Sequence, residues 1–131
     1  NYRCGTGHSV SFVGNVHEGP HALNGRNTTL MCPGMIVTDE PGVYETDLVG
    51  IRIENELVCV HKADNQYGTF LGFEPIMFVP IATSPIVPGV LTKDELDWLN
   101  NYHRQVFEKL APRLNDEERE WLAKKCAAIG C

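Results

Sequence analysis

The sequence lacks the long apolar run that a membrane-spanning helix requires. Such a helix takes about 20 consecutive apolar residues. The apolar runs here, such as residues 76–81, are short and are interrupted by prolines at positions 75, 80, 85 and 88. We therefore expect a chain that does not span a membrane.

A cluster of basic residues is lacking as well. The 11 Lys and Arg residues are outnumbered by 17 Asp and Glu residues, which gives a net charge of −6 that is spread along the chain. Proteins that bind nucleic acid or anionic lipid neutralise phosphates with clustered Lys and Arg side chains. Nucleic acid is therefore not an expected partner.

The five cysteines form no C-x-x-C pair and no closely spaced framework. An odd number without such spacing fits a reducing compartment, so we expect free thiols and a cytoplasmic protein. No initiator methionine is present, and no signal-like apolar segment follows Asn1. We therefore expect the chain to begin inside a longer protein or after processing.

What the sequence does contain is the composition of a globular protein. The 131 residues are 43% apolar and 21% charged, which suits one α+β domain with a real core. Residues up to 27 are rich in Gly, His and Asn and predict loops and short irregular strands. Beyond them, we predict strands at 35–39 and 51–60, an edge strand or a packed extended segment at 73–81, and a proline-rich linker at 80–88.

Two helices are predicted after the linker. Thr92 and Glu95 form a capping box for a helix over residues 93–110, whose apolar residues recur at helical spacing. Asn115 and Glu118 begin a second helix, which is predicted to continue with Ile129 on its apolar side until Gly130. The two helices would form a C-terminal hairpin.

Four residues stand out as possible metal ligands or catalytic groups: His8, His17, Glu40 and Glu54. Each alone is more simply explained as a solvated or hydrogen-bonding residue. Together, imidazole nitrogens and carboxylate oxygens are the donors that Mn, Co and Zn accept. The alternation of strand 51–60 also predicts that Glu54 faces the same side as Arg52, close to Glu40 if the two strands are neighbours.

The sequence resembles the aminopeptidase P family, within peptidase family M24, at four ordered blocks. These blocks read Gly-Thr-Gly-His at 5–8, Val-His-Glu-Gly-Pro at 16–20, Thr-Asp-Glu-Pro-Gly-Val-Tyr at 38–44 and Gly-Ile-Arg-Ile-Glu-Asn at 50–55. Two further blocks, at 73–76 and 96–103, resemble the C-terminal extension of longer members. The likeness covers nearly the whole chain.

The resemblance implies half of a pita-bread fold with a curved antiparallel sheet over residues 1–90, followed by a helical extension at 91–131. The implied activity is removal of the N-terminal residue from proline-containing Xaa-Pro peptides by a hydroxide held between two divalent ions. Manganese is the most common metal of the family, and zinc or cobalt would also suit these donors.

The resemblance also implies roles for individual residues. His8, Glu40 and Glu54 correspond to metal ligands, and Glu40 also moves the proton during hydrolysis. His17 corresponds to a catalytic histidine that contacts the substrate and stabilises the tetrahedral intermediate. Arg52 corresponds to a support that fixes a metal-binding carboxylate.

Other positions carry weaker expectations. Ile51 and Ile53 would belong to the core. Ser9 stands where the family usually has glycine, and we expect it to alter the local geometry because it crowds a backbone that needs glycine's freedom. The remaining histidines, His21, His61 and His103, match no ligand position and are expected to be structural or solvated.

Ligand counting indicates that this chain alone is inactive and poor in metal. Two ions need on the order of eight to twelve bonds, whereas His8, Glu40 and Glu54 offer at most five. The family takes two further ligands from aspartates upstream. Apolar surface left exposed by the absent half favours a homo-oligomer. A prolidase-type dipeptidase, a methionine aminopeptidase and a non-catalytic pita-bread binding module remain alternatives.

Overall fold

The computed structural model describes residues 4–130 and groups the chain into two compact units, Asn1–Met77 and Phe78–Cys131. Strands make up the first unit, here called the sheet unit, and both helices lie in the second, the helical unit. The expected α+β class is confirmed, whereas the domain division near residue 90 stays a prediction. Among the described residues, no helix is long and apolar enough to cross a membrane.

The sheet unit contains a five-stranded antiparallel sheet with the order β2-β1-β3-β6-β7. Its strands are β1 (His8–Ser9), β2 (Glu18–Ala22), β3 (Ile36–Asp39), β6 (Asn55–Asn65) and β7 (Gly68–Pro75). A separate two-stranded hairpin pairs β4 (Gly42–Glu45) with β5 (Val49–Arg52). The expected short strands before residue 27 and the strand at 35–39 are confirmed.

The predicted strand at 51–60 is wrong in its extent, because the segment belongs to two strands with different partners. Arg52 is paired with Gly42 of β4, whereas Asn55 is paired with Asp39 of β3. Ile51 and Ile53 were expected in the core but are 47% and 51% exposed. They lie on and next to the hairpin, outside the five-stranded sheet, so its core does not cover them.

The sheet does end in an edge strand, β7, but it runs from Gly68 to Pro75, so the predicted bounds of 73–81 are wrong. β7 follows β6 through a tight hairpin turn, which was not predicted from the sequence, and Gly68 at this turn has a φ of +135°. The chain leaves the sheet after Pro75. Further on, the backbone amides of Val79 and Ile81 donate to helix side chains and not to a strand.

Close packing of β1 against β3 depends on a glycine. An added Cβ at Gly7 would lie 1.9 Å from the backbone oxygen of Thr38. No side chain fits at that distance, so Gly7 lets the chain that carries His8 approach β3. Val37, Thr38 and Cys59 are at most 2% exposed and form the interior of this sheet.

The helical unit consists of α1 (Lys93–Leu110), a short 3-10 helix (Ala111–Arg113) and α2 (Asp116–Lys125). Both capping boxes are present, with Thr92 and Glu95 at α1 and Asn115 and Glu118 at α2. The apolar face of α1 is buried against α2 in a core formed by Tyr102, Val106 and Leu122. The predicted first helix is confirmed in both bounds.

The second helix is shorter than predicted and ends at Lys125. Ile129 was expected on its apolar face, but its backbone N–H donates to Asn100 Oδ1, and its carbonyl accepts from Asn100 Nδ2, both at 3.0 Å. A side-chain amide thus satisfies the backbone groups that a continuing helix would have bonded internally.

Candidate metal centre

His8 is the first residue of β1, which lies between β2 and β3. Its ring is held in place by the backbone carbonyl of the next residue on the same strand. Nδ1 lies 2.9 Å from the carbonyl oxygen of Ser9. A carbonyl oxygen can only accept, so Nδ1 carries a proton, and in the neutral ring the lone pair is then on Nε2. This is the tautomer in which Nε2 can bind a metal ion, with the other nitrogen fixed by a backbone carbonyl.

Glu40 lies directly after β3, where it is 9% exposed. Its backbone N–H donates to Thr6 O at 2.8 Å, which fixes the end of the strand. Its Oε1 is 3.0 Å from His8 Nε2 and accepts from Thr38 Oγ1 at 3.1 Å, while its Oε2 accepts from Arg52 Nη1. Both carboxylate oxygens are therefore held in place.

Arg52, at the end of β5, connects Glu40 with the hairpin. Its Nε donates to Tyr44 Oη at 2.7 Å, and its guanidinium lies 5.6 Å from the centre of the Tyr44 ring. The hydrogen bond with Tyr44 is the main cause that raises the pKa of Arg52, with smaller contributions from Tyr44, Glu40 and Glu54 charges and an opposing one from burial. Arg52 thus presents a permanent positive charge to Glu40.

His17 precedes β2 and is exposed. Its ring centre lies 4.2 Å from that of His8, at an interplanar angle of 41°. Donor atoms of His8, His17 and Glu40 lie within 4.8 Å of one another. The structure therefore brings together three of the four residues that the sequence singled out.

Glu54 is exposed and lies outside this three-residue cluster in the described part of the chain. The ladder of β3 and β6 ends with Asp39 opposite Asn55, so Glu40 and Glu54 are the next residues on the two strands. The backbone register thus places Glu40 and Glu54 next to each other, as expected. Glu54 also contributes to the raised pKa of Arg52, which indicates that its charge lies near that guanidinium.

The donor set fits a divalent ion. His8 Nε2 and Glu40 Oε1 lie 3.0 Å apart, and in a neutral imidazole and an ionised carboxylate both atoms are acceptors. Two acceptors at that distance repel each other unless a cation or a proton lies between them. Imidazole nitrogens and a carboxylate oxygen are the ligand mixture that Mn, Co and Zn accept.

Ser9 does not need the conformational freedom of glycine. It lies in β1 opposite Val37 and is 5% exposed. Asp47 is the one non-glycine residue with positive φ among residues 4–130. An extended strand conformation accommodates serine, so the expected need for glycine's freedom is not met here. The pairing of β1 with β2 is nevertheless irregular between His8 and Ser9, and the expectation that Ser9 causes altered local geometry stays a prediction.

Thr38, Tyr44 and Gly7 contribute to the site and were not singled out from the sequence. Thr38 and Glu40 are two residues apart at the end of a strand, where alternating side chains share a face. That spacing could have identified Thr38.

His21 was expected to be structural or solvated, and its Nε2 lies 2.7 Å from Ile36 O.

Two family descriptions match the sequence. Metallopeptidase family M24 matches residues 1–61, and the C-terminal region of peptidase M24 matches residues 69–129. Aminopeptidase P2 of Arabidopsis thaliana is 47% identical over 92% of this chain and 18% of its own length. A probable Xaa-Pro aminopeptidase P of Coprinopsis cinerea is 42% identical over 98% of this chain and 22% of its own.

A solved structure has the same fold. The X-prolyl aminopeptidase of Caenorhabditis elegans, described as a cytosolic enzyme with a di-nuclear active site, matches with a TM-score of 0.82 and 39% identity. The match covers 95% of this chain and 21% of that one. The expected half of a pita-bread fold with a helical extension is confirmed.

The chain spans about a fifth of the length of the relatives it matches. Within that span the two family regions follow each other along nearly all of the sequence. The histidine and carboxylate donors of the candidate metal centre lie in the first of them. This chain belongs to metallopeptidase family M24, and within it the chain is similar to part of the proteins named aminopeptidase P.

Proposed function

We propose that this chain is the C-terminal part of a metal-dependent aminopeptidase that releases the N-terminal residue from Xaa-Pro peptides. The observation that carries the proposal is the cluster of His8, His17 and Glu40, whose donor atoms lie within 4.8 Å of one another. The names of the relatives support the substrate class. Because the chain spans about a fifth of those relatives, the activity belongs to the longer protein.

His8, Glu40 and Glu54 are the proposed ligands of two divalent ions. The free lone pair of His8 Nε2 and the adjacent Oε1 of Glu40 support the first two. The strand register next to Glu40 supports Glu54 as a third residue that would hold the ions. Manganese is the proposed metal, with zinc and cobalt as ions that the same donors accept. When bound, such ions make hydroxide available near neutral pH and polarise the scissile carbonyl.

Glu40 is also the proposed proton carrier. It takes the proton of the attacking water and returns it to the leaving amine, as a general base and then a general acid. Arg52 holds Oε2 of Glu40, so the carboxylate keeps one orientation through both steps.

His17 is the proposed substrate-binding and catalytic histidine. Its ring is exposed yet lies beside that of His8, so a substrate at the centre can reach it. A ring N–H aimed at the carbonyl oxygen stabilises the negative charge that develops there in the tetrahedral intermediate.

The 131-residue chain alone is proposed to bind metal weakly and to have no peptidase activity. Its three proposed ligands cannot complete two coordination shells, which together need about eight to twelve bonds. Finding two tightly bound ions and turnover in this chain would contradict the proposal.

The longer protein is proposed to work in the cytoplasm as a homo-oligomer. Five cysteines without a closely spaced framework fit a reducing compartment. Exposed apolar residues of the sheet unit, among them Phe12, Leu48 and Ile53, offer surface for association.

The experiment uses the full-length protein. Metal content is measured by elemental analysis, and hydrolysis is compared on Xaa-Pro dipeptides and longer Xaa-Pro-Xaa peptides. We expect two ions per subunit and cleavage of the longer peptides. Exclusive dipeptide cleavage would identify a prolidase-type enzyme, release of N-terminal methionine without a following proline would identify a methionine aminopeptidase, and a stable metal-free protein would identify a binding module.

A matched pair of variants tests the ligand assignment. His8→Gln is expected to lower the metal content and abolish activity. His61→Gln makes the same change at an exposed histidine that pairs with Asp64 on the β6–β7 hairpin. It is expected to leave both quantities unchanged.

A further inference from the structure

Thr38 is a polar side chain in the interior of the sheet. It lies on β3 and is 2% exposed. Its Oγ1 accepts from the backbone N–H of His8 at 3.0 Å and lies 3.1 Å from Glu40 Oε1. An amide N–H can only donate, so the single hydroxyl hydrogen is free to be donated to Glu40. The direction of both hydrogen bonds is thereby fixed.

These bonds connect two residues that lie on different strands. The ladder between β1 and β3 is short, with Ser9 opposite Val37. The Glu40 amide adds one backbone bond to Thr6 O next to that ladder. Thr38 Oγ1 therefore supplies a link between β1 and β3 that the ladder itself does not.

The same hydroxyl also determines how Glu40 is oriented. Arg52 donates to Oε2, and Thr38 donates to Oε1, so rotation of the carboxylate would break two hydrogen bonds. An ionised carboxylate oxygen can accept more than one hydrogen bond or ligand contact. Oε1 can thus accept from Thr38 and still contact an ion shared with His8 Nε2, 3.0 Å away.

We propose that Thr38 is a positioning residue that holds His8 and Glu40 in the geometry required for metal binding. This inference rests on the proposed function. The hydroxyl acts through its two hydrogen bonds, and it touches neither substrate nor the reacting atoms. If Thr38 served only to fill space at this buried position, valine would do equally well, because it has the same shape without the hydroxyl.

The test compares Thr38→Val, Thr38→Ser and an unaltered full-length protein, each stripped of metal and titrated with Mn²⁺ by calorimetry. We expect Thr38→Val to weaken Mn²⁺ binding by roughly 10- to 100-fold, the usual effect of losing a group that orients a ligand. Thr38→Ser keeps the hydroxyl and is expected to stay within about threefold of the unaltered protein.

Thr69→Val is the matched control. Thr69 also donates its hydroxyl to a carboxylate, Asp64, at 2.8 Å, but it lies exposed on the β6–β7 hairpin. The Mn²⁺ affinity of the Thr69→Val protein is expected to be unchanged. Thermal unfolding of each metal-free variant separates loss of folding from loss of affinity. If Thr38→Val does not fold, Thr38→Ala removes the hydroxyl without adding a methyl group against the His8 amide.

The outcomes distinguish the inference from the function on which it rests. Folded Thr38→Val or Thr38→Ala with unaltered Mn²⁺ affinity would overturn the positioning role while the proposed function stands. An unaltered protein that binds no divalent ion would overturn both. An unaltered protein that binds Mn²⁺ but cleaves no Xaa-Pro peptide would refute the activity alone, and the affinities would still decide the role of Thr38.

Discussion

The sheet unit and the helical unit differ in how much of their apolar surface they bury. In the helical unit Leu96, Leu99, Tyr102, Val106, Ala111 and Leu122 are at most 8% exposed, whereas among the described residues of the sheet unit the buried apolar ones are Val37 and Cys59. The candidate metal centre nevertheless lies in the sheet unit. The part of the chain that carries the chemistry is thus the part with the smaller core of its own.

The sheet unit also exposes large apolar side chains close in sequence to the candidate metal centre. Phe12 and Val13, which lie between His8 and His17 in sequence, are 102% and 85% exposed. Apolar groups exposed to this extent next to a candidate site are typical of a surface that another part of a protein covers. The helical unit, by contrast, packs its buried apolar side chains into a core of its own.

The largest effect is expected at the metal centre. Glu40→Gln in the full-length protein removes the proposed proton carrier and one proposed metal-binding charge, so we expect kcat to fall roughly 10³-fold. Activity on an Xaa-Pro-Xaa peptide and metal content are the measurements.

Glu45→Gln is the matched control, because Glu45 lies five residues further on in exposed strand β4. It is expected to keep full activity. Retention of activity within tenfold in Glu40→Gln would contradict the proposed role of Glu40.

The next effect concerns the helical core. Leu122 is 2% exposed and packs with Tyr102 and Val106. Leu122→Ala leaves a cavity and is expected to lower the free energy of unfolding by about 3 kcal/mol. The two tryptophans of the chain, Trp98 and Trp121, both lie in the helical unit, so urea unfolding followed by tryptophan fluorescence reports that unit.

The control for Leu122 is the same change at an exposed leucine of the sheet unit. Leu48 is 80% exposed, and Leu48→Ala is expected to leave the unfolding curve unchanged. Equal losses of unfolding free energy in both variants would remove the distinction between the buried core of the helical unit and the exposed apolar surface of the sheet unit.

The same contrast explains which parts of the fold could be predicted from the sequence. The first helix was predicted in both bounds because its capping box and its apolar spacing are local signals. The strands depend on partners distant in sequence. The change of partner between β5 and β6 leaves no trace in the alternation of residues 51–60, so a single strand was predicted.

The candidate site was predicted more fully than the sheet that holds it. Short motifs identified His8, His17 and Glu40, which the structure brings together. Thr38 and Gly7 were missed as contributors because their importance depends on the approach of β1 to β3, a long-range contact. The position of Glu54 relative to the cluster depends likewise on the register of β3 and β6.

A smaller effect is expected from buried His103 on α1, whose ring is 0% exposed. Its Nε2 accepts from the Ile81 N–H at 3.1 Å, so the ring is neutral. Burial lowers the pKa of His103 below its usual 6.5. Tyr102, whose ring centre lies 6.1 Å away, is its aromatic neighbour on the same helix.

The sign of the resulting pH dependence follows from linkage. The unfolded chain takes up the proton near pH 6.5, whereas the folded chain takes it up only at lower pH. Stability from His103 is therefore fully present above that pH and is lost as the pH falls below it. His103→Gln, which retains an acceptor but does not titrate, is expected to flatten the fluorescence-detected stability between about pH 7.5 and 5.

Two further variants sharpen the His103 test. His103→Leu leaves the Ile81 amide without its acceptor, at an expected cost of about 1–3 kcal/mol. His61→Gln changes an exposed histidine of the sheet unit and is expected to preserve the pH slope of the helical unit. An unchanged slope in His103→Gln would show that other groups cause it.

The smallest effect tests the local signal that predicted α1. Thr92 caps the helix by accepting from the Glu95 amide, and Glu95 accepts in return from the Thr92 amide. Thr92→Ala is expected to lower the free energy of unfolding by about 1 kcal/mol, whereas Thr92→Ser retains the cap.

The bond from the Thr92 amide is the main cause that lowers the pKa of Glu95 below 4.5. The contribution of Glu95 is thus present above that pH and is lost as the pH falls through the lowered value. The difference between Thr92→Ser and Thr92→Ala should therefore narrow in acid, as measured by urea unfolding at a series of pH values. A difference that stays constant down to pH values well below about 3 would mean that the carboxylate takes no part in the cap.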